Sequence, residues 1–434
     1  MSRQKLIMVI CGFAVAAITS FGVHADADEQ LEWLVKKVTP RVVEWRRDIH
    51  QHPELGNRET RTSALVAAHL EKLGMEVKTG VAHTGVVGLL KGAGPGPVVA
   101  LRADMDALPV TEQVDLPFAS KVRTMYNGQE VGVMHACGHD AHTSILMGVA
   151  EVLSGMKSDL QGSVKFIFQP AEEGAPEGEE GGAAMMIAEG VLENPRPEAI
   201  FGLHVFPAPP GTLGYRSGGI MASADAFKMR ISGAQTHGAQ PWAGNDPIVV
   251  SAQIVQALQL IPARQTDTTV APVVVSVGSI HGGLRSNIIP DYVDLEGTIR
   301  ILDPSLRDGV LMRIERTAVN IAEASGAKAE VTILPYAPVT FNDPAMVRKM
   351  LPTLQRVAGP GLVEARPVTP AEDFAFMLEE VPGIYLFLGI NDKGVSMQDA
   401  APNHSPFFRI NEDVLPLGVK TLSALVVDYM KMAR

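Results

Sequence analysis

Eight consecutive residues, His135-Ala136-Cys137-Gly138-His139-Asp140-Ala141-His142, hold the densest set of reactive side chains in this chain. A thiolate and an imidazole two positions apart can converge on one transition-metal ion, and an extended segment would point Cys137 and His139 to the same side. The competing reading is a buried thiol beside an unrelated turn histidine. His135 could support such a site or end a strand, and His142 could simply pack on the helix that follows Gly138. Further on, Gln169-Pro170-Ala171-Glu172-Glu173-Gly174 adds paired carboxylates after an apolar run. In an extended backbone these neighbours diverge, so one can ligate metal while the other faces a substrate as general base. The alternative is a solvated acidic loop, which is the better reading of Glu177, Glu179 and Glu180 among their glycines. His204 and His404 would each be unremarked structural histidines alone. Combined with Cys137, His139, Glu172 and Glu173, they suggest a hydrolytic metal site.

The elements that must hold these groups read as α/β. Stretches 28–49 and 60–73 are helical, the second stopped by Gly74. The apolar runs 98–103, 163–169, 199–205 and 384–388 have the character of buried parallel strands, and the polar candidates cluster at their carboxyl ends. From about 220 to 334 the rhythm changes. Strand, helix, two strands, helix and strand follow one another there, the order of a ferredoxin-like split βαβ unit inserted into the larger one. Gly92-Ala93-Gly94-Pro95-Gly96-Pro97 is a turn rather than a phosphate cradle, because its prolines lack N–H donors. The expected organisation is therefore a signal segment at 1–25, a catalytic domain split into 26–219 and 335–434, and the inserted domain at 220–334.

Composition narrows the function classes. The chain has 434 residues, 46% hydrophobic, with a net charge of −11, a balance that disfavours nucleic acid as a partner. Arg3 and Lys5, an apolar stretch and Val23-His24-Ala25 have the form of an export signal, and no later run reaches the ~18 apolar residues of a membrane helix. A periplasmic or secreted location is expected. Cleavage after Ala25 would remove Cys11, leaving Cys137 without a disulfide partner in an oxidising compartment, where burial or metal would protect it.

Seven motifs in order then carry a resemblance. They are 100–109 (Ala-Leu-Arg-Ala-Asp-Met-Asp-Ala-Leu-Pro), 135–140, 169–174, Gly202-Leu203-His204-Val205, Asn287-Ile288-Ile289-Pro290-Asp291, Glu372-Asp373-Phe374-Ala375 and Asn403-His404-Ser405-Pro406. Together they resemble the amidohydrolase branch of the aminoacylase and carboxypeptidase di-metal peptidases, which includes hippurate and indoleacetyl-amino-acid hydrolases. The resemblance implies two divalent ions (Zn, Mn, Co or Ni) held by Cys137, His139, Glu173, His204 and His404. It implies Glu172 as general base and Asp106 orienting a ligand. The inserted segment becomes a lid and homodimerisation domain, with His237 reaching an active site, often the partner subunit's, to stabilise an oxyanion. Asn287 and Arg300 fall near the substrate, although Arg300 is equally a surface arginine of the lid. Two departures bear on specificity: Gln240-Pro241-Trp242 stands where many relatives carry a second histidine, and the acidic run 174–182 is long. The implied activity is hydrolysis of the amide bond of N-acyl amino acids. The rivals are a dipeptidase or carboxypeptidase, and a non-catalytic metal- or peptide-binding protein.

Overall fold

The computed structural model describes residues 14–433. Part of the expected signal segment, residues 1–13, lies outside them, and a long helix, Ala14–Gln51, covers the rest. Among the described residues no helix is long and apolar enough to cross a membrane.

The larger sheet has eight strands. In spatial order they are Glu76–Val81, Gly85–Lys91, Gln161–Gln169, Gly94–Asp104, Ala199–Phe206, Gly383–Gly389, Leu213–Tyr215 and Leu362–Glu364. The four central strands are parallel, and Leu101 stands level with both Phe166 and Phe201. Alternation explains why these runs are apolar throughout. Val99, Leu101, Phe201, Leu203, Ile384 and Leu386 face one side, where helices Ala14–Gln51, His139–Gly155 and Leu415–Met432 cover them. Ala100, Ile167, Ile200 and Tyr385 face the other, against helices Gly182–Ala188 and Phe374–Glu380. A parallel sheet buried on both faces has no solvent side on which to place polar residues.

That rule makes Arg102 and Asp104 conspicuous, since both are fully buried on the second face. Arg102 donates to Asp104 Oδ2 at 2.6 Å, to Gln169 Oε1 at 2.9 Å and to Asp373 Oδ1 at 3.0 Å, and lies 2.9 Å from Glu372 Oε1. The charge is affordable in a dry interior only because three carboxylates surround it.

The second sheet has the order Val273–Gly282, Tyr292–Ile301, Ala224–Ser232, Lys328–Ala337, antiparallel throughout. Helices Pro247–Leu258 and Pro304–Ala324 pack on one face and close a separate core around Phe227, Ile254, Ile299 and Ile314. Chain order is β-α-β-β-α-β. Both helices begin at an Asp-Pro pair: Asp246 accepts Ile248 N–H and Asp303 accepts Ser305 N–H, while the proline presets the first turn.

Candidate metal centre

The centre lies at the carboxyl ends of the parallel strands. One strand ends at Asp104, its neighbour runs into Ala171-Glu172-Glu173, and the third carries His204 near its end. Helix His139–Gly155 starts at the same edge.

Cys137 and His139 do meet, but not on an extended segment. Gly138 between them is left-handed (φ 96°), and His139 is already the first residue of the helix. The turn swings both side chains inward, and a Cβ at 138 would lie 2.2 Å from Val205 Cγ2, so only glycine fits. The expectation for Glu172 and Glu173 also changes. They occupy a turn after Ala171 (φ 49°) and converge rather than diverge. His139 Nε2 lies 3.8 Å from Glu172 Oε2 and 4.0 Å from Glu173 Oε1. Two backbone donors hold that turn: Ala171 N–H to Glu59 Oε1 (2.9 Å) and Glu173 N–H to Asp106 Oδ2 (3.0 Å).

Each imidazole is aimed by its other nitrogen. His139 Nδ1 faces Asp106 Oδ1 at 3.2 Å, and His204 Nδ1 donates to the Val205 carbonyl at 2.7 Å. Their Nε2 atoms are left for the cluster, His204 Nε2 standing 3.4 Å from Cys137 Sγ. His404 arrives from the far end of the chain in a left-handed conformation (φ 70°), pinned by its N–H to Ala136 O, with Nε2 3.0 Å from Glu173 Oε1. Asn403 Nδ2 donates to the Cys137 carbonyl at 3.1 Å and clips that segment in place.

The donor set fits divalent cations. Cys137, His139 and His204 form one three-donor group, and Cys137, Glu173 and His404 another, with the donor atoms of each within 4.8 Å of one another. His139 Nε2 is buried without a hydrogen bond and faces the cluster, as a ligand nitrogen would. The electrostatics agree. Burial raises the Glu172 carboxyl well above its ordinary range, reinforced by Glu372, Glu173 and Asp373. Cys137 and Glu173 push the His404 ring up to about 10. Burial raises the Cys137 thiol, with Glu173 adding to it. Thiol, carboxylate and imidazole together suit Zn, Mn, Co or Ni.

Several contributors carried no assigned role in the sequence. Glu59 is fully buried, receives Thr84 Oγ1–H at 2.5 Å, and is pushed up to about 7 by burial and Asp106. Its position just before a helix reads as an ordinary capping residue. Glu372 and Asp373 belong to a recognisable motif, but only the fold reveals Tyr385 donating to Glu372 at 2.5 Å and Asp373 N–H reaching Glu172 Oε1 at 3.4 Å. His135 is buried with neither ring nitrogen hydrogen-bonded, and burial pushes it down to about 3, so it is a neutral ring.

The remaining candidates sit elsewhere. His237 and Asn287 are neighbours on the second unit, where Thr236–His237 pairs with Ile288–Ile289 and Gly238 N–H donates to Asn287 O at 2.8 Å. Both are exposed, and among the described residues neither bonds to the metal-ligand cluster. Arg300 donates to Thr298 Oγ1 and the Ile299 carbonyl on its own strand.

Comparison with known proteins places this architecture. The model of peptidase family M20/M25/M40 matches residues 100–428. A thermostable carboxypeptidase of Saccharolobus solfataricus is 42% identical over 93% of this chain and 99% of its own length. An IAA-amino acid hydrolase of Arabidopsis thaliana is 38% identical, over 94% of this chain and 87% of its own. The crystal structure of a dinuclear metal-binding M20 peptidase from Bacillus subtilis superposes with a TM-score of 0.76 at 35% identity, covering 91% of this chain and 99% of that one.

Proposed function

The chain belongs to peptidase family M20/M25/M40, and on that premise we propose that it is a metal-dependent amidohydrolase of N-acyl amino acids or related conjugates. The products are a carboxylic acid and a free amino acid. One observation carries the reading: Glu172 stands 3.8 Å from His139 Nε2 and is left over once Cys137, His139, Glu173, His204 and His404 are assigned to the ions, with burial strengthening its hold on a proton. A metal store has no use for that carboxylate.

Two divalent cations held by Cys137, His139, Glu173, His204 and His404 would polarise the scissile carbonyl and make a water nucleophilic near neutral pH. The chain's own groups do the rest. Asp106 fixes the His139 ring so that Nε2 faces the centre. Glu172 takes the proton of the attacking water and returns it to the amide nitrogen as the C–N bond breaks. His237 donates to the oxyanion, a contribution of about 3–4 kcal/mol for a well-placed donor. Asn287 and Arg300 contribute to holding the amino-acid half.

The second unit serves as lid and homodimer interface in this proposal. Its edge strand Val273–Gly282 exposes Val274 and Ile280, which supports pairing with a second copy, and the exposure of His237, with no bond to the cluster among the described residues, supports its acting in the partner's site. Export to the periplasm or medium rests on the pattern of residues 1–25, and the N-terminal mass of the protein recovered from each compartment tests it. The carboxypeptidase relative favours a second reading, cleavage of short peptides by the same machinery.

The deciding experiment compares metal-loaded wild type with Glu172→Gln on N-acyl amino acids and dipeptides. Turnover should fall by about 10²–10⁴-fold or more in the variant with metal content unchanged. Full activity in the variant would remove Glu172 as the base. Faster cleavage of dipeptides than of any N-acyl amino acid would select the peptidase reading.

A further inference from the structure

Glu172 is lightly held for a group that must meet a water molecule at one point. Among the described residues its carboxylate accepts a single hydrogen bond, from Asp373 N–H to Oε1 at 3.4 Å. A long side chain held so loosely is placed mainly by what stands behind it. Glu372 and Asp373 stand there, with carboxylate oxygens within 4.8 Å of its own. Like charges at that range repel, so wherever this pair is fixed, Glu172 is confined.

The two members of the pair are fixed unequally. Asp373 is held by four donated hydrogen bonds: Gln169 Nε2 to both of its oxygens (2.7 and 2.8 Å), Ala183 N–H to Oδ2 (2.7 Å) and Arg102 to Oδ1 (3.0 Å). Glu372 Oε1 takes Phe374 N–H at 3.0 Å and lies 2.9 Å from Arg102. Its Oε2 has one donor among the described residues, the Tyr385 hydroxyl at 2.5 Å. Burial and the Glu372 charge raise the Tyr385 phenol well above its ordinary range, so it keeps the proton it donates. That hydroxyl is what stops the second oxygen of Glu372 from swinging.

Tyr385 is itself clamped. Asn342 accepts its N–H at 2.6 Å and donates to its carbonyl at 2.9 Å. Asn342 ends strand Thr340–Asn342, on which the chain returns from the second unit, paired with Gly218–Met221, on which it leaves. The ring packs 5.2 Å from that of Phe374 and over Gly202, where a Cβ would come within 3.0 Å of Tyr385 Cδ2. A phenyl ring would satisfy all of this packing. The hydroxyl therefore serves Glu372 alone.

We propose that Tyr385 is a positioning residue for the general base: its hydroxyl fixes Glu372 on Arg102, and Glu372 with Asp373 then confines the Glu172 carboxylate to the place where it meets the attacking water. The proposal rests on the reading of Glu172 as the base of a hydrolase.

The test joins a structure to kinetics, using metal-loaded Tyr385→Phe and wild type. In crystals of the variant, Glu172 should shift by about 1 Å or take two conformers, while Cys137, His139, Glu173, His204 and His404 stay in place. On the best N-acyl amino acid, kcat should fall about 10- to 100-fold with KM within about threefold and metal content unchanged. The same substitution in Glu172→Gln should cost nothing further, because the group it places is gone. Glu372→Gln, whose single amide oxygen cannot accept from both Arg102 and Tyr385, gives a second route to the same displacement. Tyr429→Phe, which loses a hydroxyl 3.5 Å from the Glu198 carbonyl, is the control and should leave kcat unchanged. An unmoved Glu172 in both variants overturns the proposal, as does a loss of kcat that persists in Glu172→Gln. Wild type that hydrolyses no N-acyl amino acid or dipeptide would remove the hydrolase reading, while the crystals would still decide whether Tyr385 places Glu172. Hydrolysis by wild type with Glu172 unmoved in the variants would remove the positioning alone.

Discussion

His142 and Asp104 are joined by a 2.6 Å hydrogen bond from Nδ1, and the same ring accepts the Val205 N–H at Nε2, 2.8 Å away. Both ring nitrogens are thereby used. His142 lies with its ring centre 4.5 Å from that of His204 and 5.4 Å from that of His139, yet it is a strut rather than a ligand. It ties the helix that opens with His139 to the ends of two parallel strands. Asp104 is held well below the usual carboxylate range by His139, His142 and Arg102, against the burial that would raise it.

Replacing this strut should therefore cost stability. His142→Leu leaves Asp104 Oδ1 and the buried Val205 N–H without their partner, an expected loss of about 2–4 kcal/mol in urea unfolding of the metal-free protein. A loss below about 0.5 kcal/mol would show the ring to be replaceable packing.

Cys137 belongs to both three-donor groups, so its removal should weaken both ions together. Cys137→Ala is expected to drop the metal-to-protein ratio after dialysis from two to below one. The rise in melting temperature on adding metal should shrink with it. Retention of two ions in the variant would exclude the thiol as a ligand.

The reach of His237 can be settled by mixing. If His237 acts in the partner's site, inactive His237→Ala and Glu172→Gln proteins should recover activity when subunits exchange, because the His237→Ala subunit then borrows an intact histidine. Absence of recovery after confirmed exchange would place His237 in its own subunit's site.

Glu59 predicts a pH effect with a definite sign. Its folded value, about 7, lies above the ordinary 4.5, so the native state holds the proton more tightly than the unfolded chain. The associated stability is full below pH 4.5 and is lost as pH rises through about 7. Glu59→Gln removes the titration while keeping an acceptor for Ala171 N–H. Relative to this variant, wild type should lose on the order of 3 kcal/mol between pH 4.5 and 8, read from unfolding curves at each pH. Parallel pH profiles for the two proteins would show that Glu59 does not titrate in this range.

Much of the larger fold was legible because burial on both faces leaves a plain mark. The runs 98–103, 163–169, 199–205 and 384–388 are apolar without alternation, and all four become central strands. The order of strands and helices across 220–334 was readable as well, because hydrophobic rhythm is a local signal that needs no distant partner. Local reasoning failed where one residue leaves ordinary backbone geometry. Left-handed Gly138 brings Cys137 and His139 together through a turn rather than an extended segment, and left-handed Ala171 makes the Glu172–Glu173 pair converge where divergence was expected.

The sequence by itself determined which side chains are available and at which strand ends they fall, because hydrophobic period and turn chemistry act over a few residues. Only the tertiary structure decided how they combine. Glu59 meets Ala171 across 112 positions, Arg102 meets Asp373 across 271, and Asn403 meets the Cys137 carbonyl across 266. Such pairings are set by the packing of whole elements in a dry interior, where an unpartnered charge or N–H is too costly to leave. The orientation of every donor in the centre follows from that accounting.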